Sequence, residues 1–224
     1  MKRQFLTQAE FDQLCSGAQV LEQDAHGIKV LKLAEGDILK LFRIKRAWSS
    51  ARWMPYSRRF WKNALRLADL GVPSITPRAW YQLPAPQLTA VLYQPLPGYT
   101  LLQLATAGEL TSPVLRQLGV FVARLHRLGI YFRSLHLGNI VQTPSGELGL
   151  IDVADMTVHP WHLLRGQRLR NFRHLLRLQE HRRLMGQDGW QTLVSAYLDE
   201  ARPRPSCRPG MQQAILDLFT ERAA

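Results

Sequence analysis

The segment that decides the fold is Leu125–Asp152, which reads LHRLGIYFRSLHLGNIVQTPSGELGLID. A helical pattern ends in Leu-His and is closed by Gly129, and an extended stretch then leads to Asn139. Two short apolar runs follow, separated by a Pro-Ser-Gly turn, and the second run ends at Asp152. This pattern predicts a tight hairpin that brings together the amide of Asn139 and the carboxylate of Asp152. Amide and carboxylate oxygens are the ligands that Mg²⁺ prefers.

The chain before this segment is predicted to be mostly β. Short apolar runs separated by Gly and Asp indicate an antiparallel meander, followed by a helix over 57–70 and two more strands. Thr7 and Glu10 form a capping-box pattern at the start of a short helix. The predicted strands are Ala18–Glu22, Ile28–Leu33, Ile38–Phe42, Trp80–Leu83 and Leu88–Tyr93.

After the connector QPLPGYTL, helical patterns dominate the chain. A long amphipathic helix is predicted over Ser112–Leu128, capped by Ser112, and Arg-rich helices are predicted over 160–200 and 209–222. The sequence therefore predicts an α+β protein with a mostly β N-lobe over 1–93, a hinge over 94–100 and a mostly α C-lobe over 101–224.

Composition restricts the class of protein. The chain has 224 residues, 46% of them hydrophobic, which excludes a disordered chain. No apolar run approaches the ~18 residues of a spanning helix, and the N-terminus lacks the apolar core of a secretory signal. Two cysteines, Cys15 and Cys207, make neither a metal cluster nor a disulfide framework. We therefore expect a cytoplasmic protein.

Positive charge is the first functional clue, because the formal net charge is +12. Residues 38–68 contain no acidic residue, and aromatic residues are interleaved with the basic ones there. A second run, Arg165–Arg183, holds seven arginines and one Glu. Such runs are typical of a solvated face, of contact with anionic headgroups or sugar phosphates, and of RNA binding. Composition does not choose among these partners, although no nucleic-acid-binding motif accompanies the charge.

Leu125–Asp152 resembles the catalytic core of the protein-kinase-like phosphotransferases, and the likeness continues in order over residues 18–180. Within that fold the chain is most similar to the bacterial lipopolysaccharide-core kinases, which phosphorylate heptose or Kdo sugars, and to their toluene-tolerance-protein branch. This likeness rests on three stretches, which read FRIKRAWSSARWMPYSRRFW, LRLADLGVPSITP and RLRNFRHLLRL. It implies ATP and Mg²⁺ as cofactors, and an anionic lipid partner at the inner face of the cytoplasmic membrane.

The resemblance also implies roles for individual residues. Lys40, on the third strand, takes the place of the lysine that contacts the nucleotide phosphates. Backbone groups from Gln94 to Leu96 take the place of the hinge that meets the adenine. Asn139 and Asp152 stand at the metal positions. The position of the catalytic aspartate falls on Ser134, and His136 or Asp155 is the candidate to take over part of its role.

The chain departs from the family pattern at several positions. A Ser134 hydroxyl is no general base near neutral pH, and the helix glutamate that pairs with the nucleotide lysine falls on about Phe60. Asn171 replaces a further carboxylate, the metal motif reads Asp-Val-Ala, and the nucleotide loop keeps only Gly27. Because phosphoryl transfer depends mostly on positioning and charge neutralisation, two hypotheses stay open. One is an active phosphotransferase, and the other is a pseudokinase that acts as a nucleotide- or lipid-binding scaffold.

Each candidate residue also has a plainer interpretation. Lys40 could be a solvent-facing lysine of a strand, Asn139 a turn residue and Asp152 the cap of a strand end. The Ser134 hydroxyl could bond to the backbone of its own loop. For His126, at the end of the long helix, we expect a structural role that braces the loop.

Overall fold

The computed structural model describes residues 3–25, 27–43 and 56–221, and it divides the chain into two compact units. The first unit, Met1–Leu96, is mostly β, and the second, Pro97–Ala224, is mostly α. The predicted α+β class, with a β lobe followed by a helical lobe, is therefore confirmed. The division falls inside the predicted connector at 94–100.

A six-stranded sheet forms the centre of the first unit. Its order is β1-β5-β6-β4-β3-β2, and all neighbours pair antiparallel except β1, which lies parallel to β5. The predicted meander is present, and Lys40 pairs with Val30 on one side and Val91 on the other. The strands are β1 Gln4–Phe5, β2 Gln19–Asp24, β3 Gly27–Lys32, β4 Ile38–Arg43, β5 Thr76–Gln82 and β6 Leu88–Gln94.

Two helices of this unit lie within the described residues. Helix α1, Gln8–Leu14, starts at the predicted capping box, in which the Thr7 hydroxyl and the Glu10 carboxylate each bond the other residue's backbone. Helix α2, Tyr56–Asp69, buries one apolar face whose residues recur at helical spacing. The buried residues on that face are Ser57, Phe60, Trp61, Ala64 and Leu67. The remainder of the basic and aromatic stretch, residues 44–55 with Trp48 and Trp53, lies outside the described residues.

The second unit contains five helices among the residues that the structure describes, together with two small sheets. Helix α4 packs along α6, and strands β9 and β10 form the predicted hairpin. Strand β7 adds to this hairpin, and β8 pairs with β11. The helices are α3 Leu101–Thr106, α4 Ser112–Arg127, α5 Arg165–Leu175, α6 Gln179–Ala201 and α7 Arg208–Asp217. The strands are β7 Tyr99–Thr100, β8 Ile130–Phe132, β9 Ile140–Gln142, β10 Leu148–Leu150 and β11 Met156–Val158.

The predicted cap of α4 is wrong by one residue. Thr111, not Ser112, is the N-cap, because the first helical hydrogen bond runs from the amide of Leu115 to the carbonyl of Thr111, at 3.0 Å. The Thr111 side chain makes no capping hydrogen bond. Within the described ranges, no helix has both the length and the apolar character that crossing a membrane requires.

Candidate functional site

The β9–β10 hairpin brings Asn139 next to the residue before Asp152. Asn139 ends a 3-10 turn over Leu137–Asn139 and directly precedes β9. Leu150 pairs with Ile140, and the amide of Ile151 donates to the Asn139 carbonyl at 3.0 Å. The chain between them therefore closes as a hairpin, and the two residues predicted to hold a metal lie at its open end.

Asp152 has an unusual backbone. Its φ of 53° and ψ of 45° lie in the left-handed region, and it is one of two described non-glycine residues with positive φ. This conformation costs roughly 1–2 kcal/mol for a residue with a Cβ. Asp152 itself is exposed, whereas Val153 and Ala154 of the following 3-10 turn are buried. Strain at an exposed carboxylate that is anchored by buried neighbours is typical of functional sites.

The Asn139 side chain is buried and held in one orientation. Its Nδ2 atom donates to the Ser134 carbonyl at 2.9 Å and lies 3.2 Å from His136 Nε2. Both amide hydrogens are thus engaged, and the carboxamide oxygen accepts no hydrogen bond from the described part of the chain. Amide and carboxylate oxygens are ligands of hard cations such as Mg²⁺, which commonly take one or two protein ligands and complete their shell with phosphates and water.

No group of three or more His, Cys, Asp and Glu side chains within the described ranges is arranged to hold a metal ion. If Asn139 and Asp152 hold Mg²⁺, the ion needs further ligands, which the phosphate oxygens of a nucleotide would supply.

His136 lies at the centre of this loop. Burial lowers the pKa of its imidazole, as do nearby His181 and Arg177, while Asp152 acts in the opposite direction. If Nε2 accepts from Asn139, a neutral ring carries its proton on Nδ1, and this buried Nδ1 has no hydrogen-bond partner among the described residues. Ser134 lies two residues earlier, and its hydroxyl makes no hydrogen bond within that part of the chain.

His181 is a site residue that the sequence analysis missed. It lies in the first turn of α6, is 3% exposed, and its ring centroid is 5.5 Å from that of His136. Burial lowers the pKa of His181, so it also stays neutral near pH 7. No spacing signal could have revealed it, because α6 is brought to the loop only by tertiary packing.

Basic groups surround the other side of the loop. His174 accepts from or donates to the Tyr131 hydroxyl at 3.1 Å, and its pKa is lowered first by burial and then by Arg133, Arg177 and Arg170. These three arginines are exposed. The surface beside Ser134 and His136 is therefore positively charged.

A buried polar network supports the loop from behind. The His126 ring is fully buried, with Nε2 3.1 Å from Asn171 Oδ1 and Nδ1 3.1 Å from the Tyr197 hydroxyl. Asn171 Nδ2 donates to the Phe132 carbonyl at 2.6 Å. Burial, with a smaller effect of Arg168, lowers the pKa of His126 to about 3, so the ring is neutral. The structure thus gives His126 the bracing role predicted from the sequence. Its neutral ring bonds to the uncharged Asn171 side chain, which in turn bonds to the loop backbone at Phe132.

Lys40 has an aromatic environment within the first unit. Its Nζ atom lies 5.7 Å from the ring centroid of Phe60 and 5.9 Å from that of Phe42. Phe60 is 1% exposed and packs against Phe42 and Tyr93 at centroid distances of 5.5 and 5.3 Å. The helix position at which the resemblance expects a glutamate thus presents an aromatic face to the lysine.

The remaining predicted residues follow β6. Gln94 is its last residue, pairs with Thr76 and accepts from Arg78 through its side chain at 3.3 Å. Leu96 is half-buried two residues later. Ser134, His136, Asn139 and Asp152 therefore come together in the second unit, whereas Lys40, Gln94 and Leu96 belong to the first.

Comparison with protein-family models gives no match, and comparison with curated proteins gives none either. Among solved structures, the chain is similar to the bifunctional kinase-methyltransferase WbdD, with a TM-score of 0.48 and 15% identity over 83% of this chain and 46% of that one. It is also similar to a divergent kinase lacking the glycine-rich loop, which regulates membrane ultrastructure of the Toxoplasma parasitophorous vacuole. There the TM-score is 0.44 and the identity 16%, over 84% of this chain and 62% of that one.

The chain spans less than two thirds of the length of either structure. At such low identity, and with TM-scores below 0.5, neither likeness carries an argument about what this chain does.

Proposed function

We propose that this protein is an ATP-dependent phosphotransferase of the kinase-like class that acts on a sugar of the lipopolysaccharide core, at the cytoplasmic face of the membrane. The observation that carries the proposal is the hairpin that joins Asn139 to the strained Asp152. The oriented amide oxygen of Asn139 and the exposed carboxylate of Asp152 would together provide the protein ligands of a Mg²⁺ ion. The exposed arginines beside the loop support an anionic acceptor.

Each residue then has a defined task. Asn139 and Asp152 would hold Mg²⁺, Lys40 would contact the phosphates, and backbone groups between Gln94 and Leu96 would meet the adenine. When bound, Mg·ATP supplies the transferable phosphoryl group and neutralises its charge. His136, neutral near pH 7, can donate a hydrogen bond at one ring nitrogen and accept at the other, which suits the orientation of an acceptor hydroxyl.

Loss of the general base lowers the expected rate but does not abolish the chemistry. A positioned base contributes about 10²–10⁴-fold, and the remaining acceleration comes from positioning and charge neutralisation. The Ser134 hydroxyl can bond to an acceptor but cannot take up its proton near neutral pH. We therefore expect slow transfer, with the proton released to solvent or to His136.

The second candidate function is a pseudokinase scaffold that binds nucleotide or lipid in envelope assembly. The packing of Phe60 favours it, because a buried aromatic residue fills the position of the ion-pair carboxylate. Both functions require nucleotide or anionic lipid to bind, and they differ in whether a phosphoryl group is transferred.

Thermal unfolding with and without Mg·ATP tests nucleotide binding first. Ligand at ~100 times its dissociation constant adds about 2.7 kcal/mol, which for a chain of this size is a rise in Tm of roughly 5–10 °C. We expect a Mg²⁺-dependent rise that is lost in Lys40→Ala and reduced in Asp152→Asn. No rise at saturating nucleotide in the wild-type chain would refute both the phosphotransferase and a nucleotide-binding scaffold.

Variants of Phe60 refine the same measurement. Phe60→Leu removes the aromatic ring, whose interaction with the Lys40 ammonium contributes about 0.5–1 kcal/mol, so it should weaken Mg·ATP binding roughly 2–5-fold. Phe60→Tyr keeps an aromatic ring at this position and should keep the wild-type affinity for Mg·ATP. Leu67→Val, buried on the same helix, controls for lost packing. Transfer of labelled phosphate to lipopolysaccharide core then separates the two functions, since Asp152→Asn should abolish transfer by an enzyme and leave a scaffold's envelope phenotype intact.

A further inference from the structure

A cavity in the helical unit is lined by residues outside the β9–β10 hairpin. It measures about 210 Å³ and is lined by Ala123 and Arg127 of α4, His162, Arg168 of α5, and Glu200 and Ala201 of α6. The two arginines come from different helices, and their charges exceed the single carboxylate of the lining. The small alanine side chains leave the space between them open.

Each of the two arginines makes hydrogen bonds within the protein and keeps further N–H donors that the described residues do not use. Arg168 Nε donates to the Leu163 carbonyl at 2.7 Å and Nη1 to the Tyr197 hydroxyl at 3.4 Å, while Nη2 makes no hydrogen bond within the described ranges. Arg127 Nη1 donates to Glu200 Oε1 at 2.6 Å, and its Nε and Nη2 are likewise not engaged by residues of those ranges. Guanidinium groups with unused N–H donors are suited to bind a tetrahedral oxyanion.

The carboxylate of Glu200 limits which protonation state of an anion the cavity can bind. One of its carboxylate oxygens accepts from Arg127, and the other accepts no hydrogen bond within the described residues. A fully deprotonated anion would be repelled there, whereas a monohydrogen phosphate can donate its O–H to that oxygen and accept from both arginines. The lining thus fits a group that is both an acceptor and a donor.

A chain of hydrogen bonds connects this cavity to the catalytic loop. Arg168 donates to Tyr197, whose hydroxyl lies 3.1 Å from His126 Nδ1. His126 Nε2 lies 3.1 Å from Asn171 Oδ1, and Asn171 Nδ2 donates to the carbonyl of Phe132, two residues before Ser134. With Asn171 donating to Phe132, its oxygen has to accept from His126 Nε2–H, so His126 Nδ1 accepts from the Tyr197 hydroxyl. All the donors therefore point the same way, an arrangement in which each bond polarises the next.

We propose that the cavity between α4, α5 and α6 binds inorganic phosphate or a small phosphomonoester, and that this ligand acts on the segment before Ser134 through Arg168, Tyr197, His126 and Asn171. Phosphate binding here does not depend on the proposed phosphotransfer. The connection to the loop deepens that function, because it would make the loop responsive to a phosphorylated compound.

Thermal unfolding of the full chain in inorganic phosphate, against chloride at equal ionic strength, tests the binding site. Glycerol phosphate in a parallel titration distinguishes a phosphomonoester from free phosphate. Loss of one charge-assisted hydrogen bond corresponds to at least about tenfold weaker binding, so Arg168→Gln and Arg127→Gln should shift the titrations by that factor. Arg116→Gln is the matched control, since Arg116 is an exposed residue of α4 outside the cavity.

Lys40→Ala should keep the phosphate response, which separates this cavity from the nucleotide site. Because Arg168→Gln also loses its bond to Leu163, the test compares phosphate-dependent shifts and not absolute Tm values. The proposed binding site would be overturned if phosphate changed Tm no more than chloride does. It would also be overturned if both arginine variants kept the phosphate-dependent rise in Tm of the wild-type chain.

The connection is tested by amide NMR shifts at Ser134 and His136. Tyr197→Phe removes the hydroxyl that links Arg168 to His126 and leaves the cavity lining in place. We expect phosphate to shift both amides in the wild-type chain, and to bind Tyr197→Phe with those shifts lost. The connection would be overturned if phosphate shifted the Ser134 and His136 amides in Tyr197→Phe as much as in the wild-type chain. It would also be overturned if saturating phosphate shifted neither amide in the wild-type chain.

Discussion

At the scale of single residues, uncharged side chains stand at the two positions where the sequence resemblance expects carboxylates. Phe60 gives Lys40 an aromatic face, and Asn171 bonds to His126 and to the Phe132 carbonyl. A cation over a ring is stabilised by about 0.5–2 kcal/mol, depending on its exposure. A neutral Asn171 matches a neutral His126, whereas a buried carboxylate there would need a protonated partner.

Protonation of His126 is the most direct residue-scale prediction. Its pKa is about 3 in the folded chain and about 6.5 when unfolded, so between these values the unfolded chain binds the additional proton. The free energy of unfolding should therefore be fully retained above pH 6.5 and fall by about 1.4 kcal/mol for each pH unit below it, down to about pH 3.

Denaturant titrations between pH 4.5 and 7.5 measure this slope. His126→Gln should flatten the slope by about one proton relative to the wild-type chain. An identical slope in His126→Gln would show that other groups control the acid sensitivity.

Several helices and strands could be predicted from sequence signals local to each element. The capping box at Thr7 and Glu10, the apolar face of α2 and the β9–β10 hairpin each depend on residues close in sequence. Pairing of β1 with β5 and the placement of His181 beside His136 depend on residues far apart in the chain. No local sequence pattern encodes such contacts, which is why the sequence predicted a role for His136 but not for His181.

The contact between α4 and α6 gives an element-scale prediction. A Cβ on Gly119 would overlap the carbonyl oxygen of Leu193 and lie 2.9 Å from the amide nitrogen of Tyr197. Because backbone atoms cannot move aside cheaply, Gly119→Ala should lower the free energy of unfolding by about 1–3 kcal/mol.

Gly166→Ala is the matched control in α5. A Cβ there would meet nothing within 4 Å, so the higher helix propensity of Ala should raise stability by up to about 1 kcal/mol. Chemical denaturation of both variants measures the opposite signs. Equal stability of the two would mean that the helices separate at Gly119 without cost.

At the scale of the whole molecule, a net charge of +12 favours association with anionic surfaces. Sequence composition left lipid, sugar phosphate and RNA as alternatives. The structure adds that Arg133, Arg170 and Arg177 are exposed together around His174, beside the loop that contains Ser134. A charged surface at that place would bring an anionic acceptor directly to the site, which a charge spread evenly over the protein would not do.

The last prediction follows from this arrangement. Each basic residue near an anionic bilayer is worth about 1 kcal/mol, so the double variant Arg170→Gln/Arg177→Gln should bind phosphatidylglycerol vesicles about 30-fold more weakly. Vesicle sedimentation over a range of salt concentrations measures it, since binding should weaken as the Debye length shortens. Arg116→Gln/Arg204→Gln removes the same charge from exposed positions elsewhere and should change binding little. Equal losses in the two double variants would assign binding to net charge alone, and tighter retention on single-stranded RNA would favour nucleic acid as the partner.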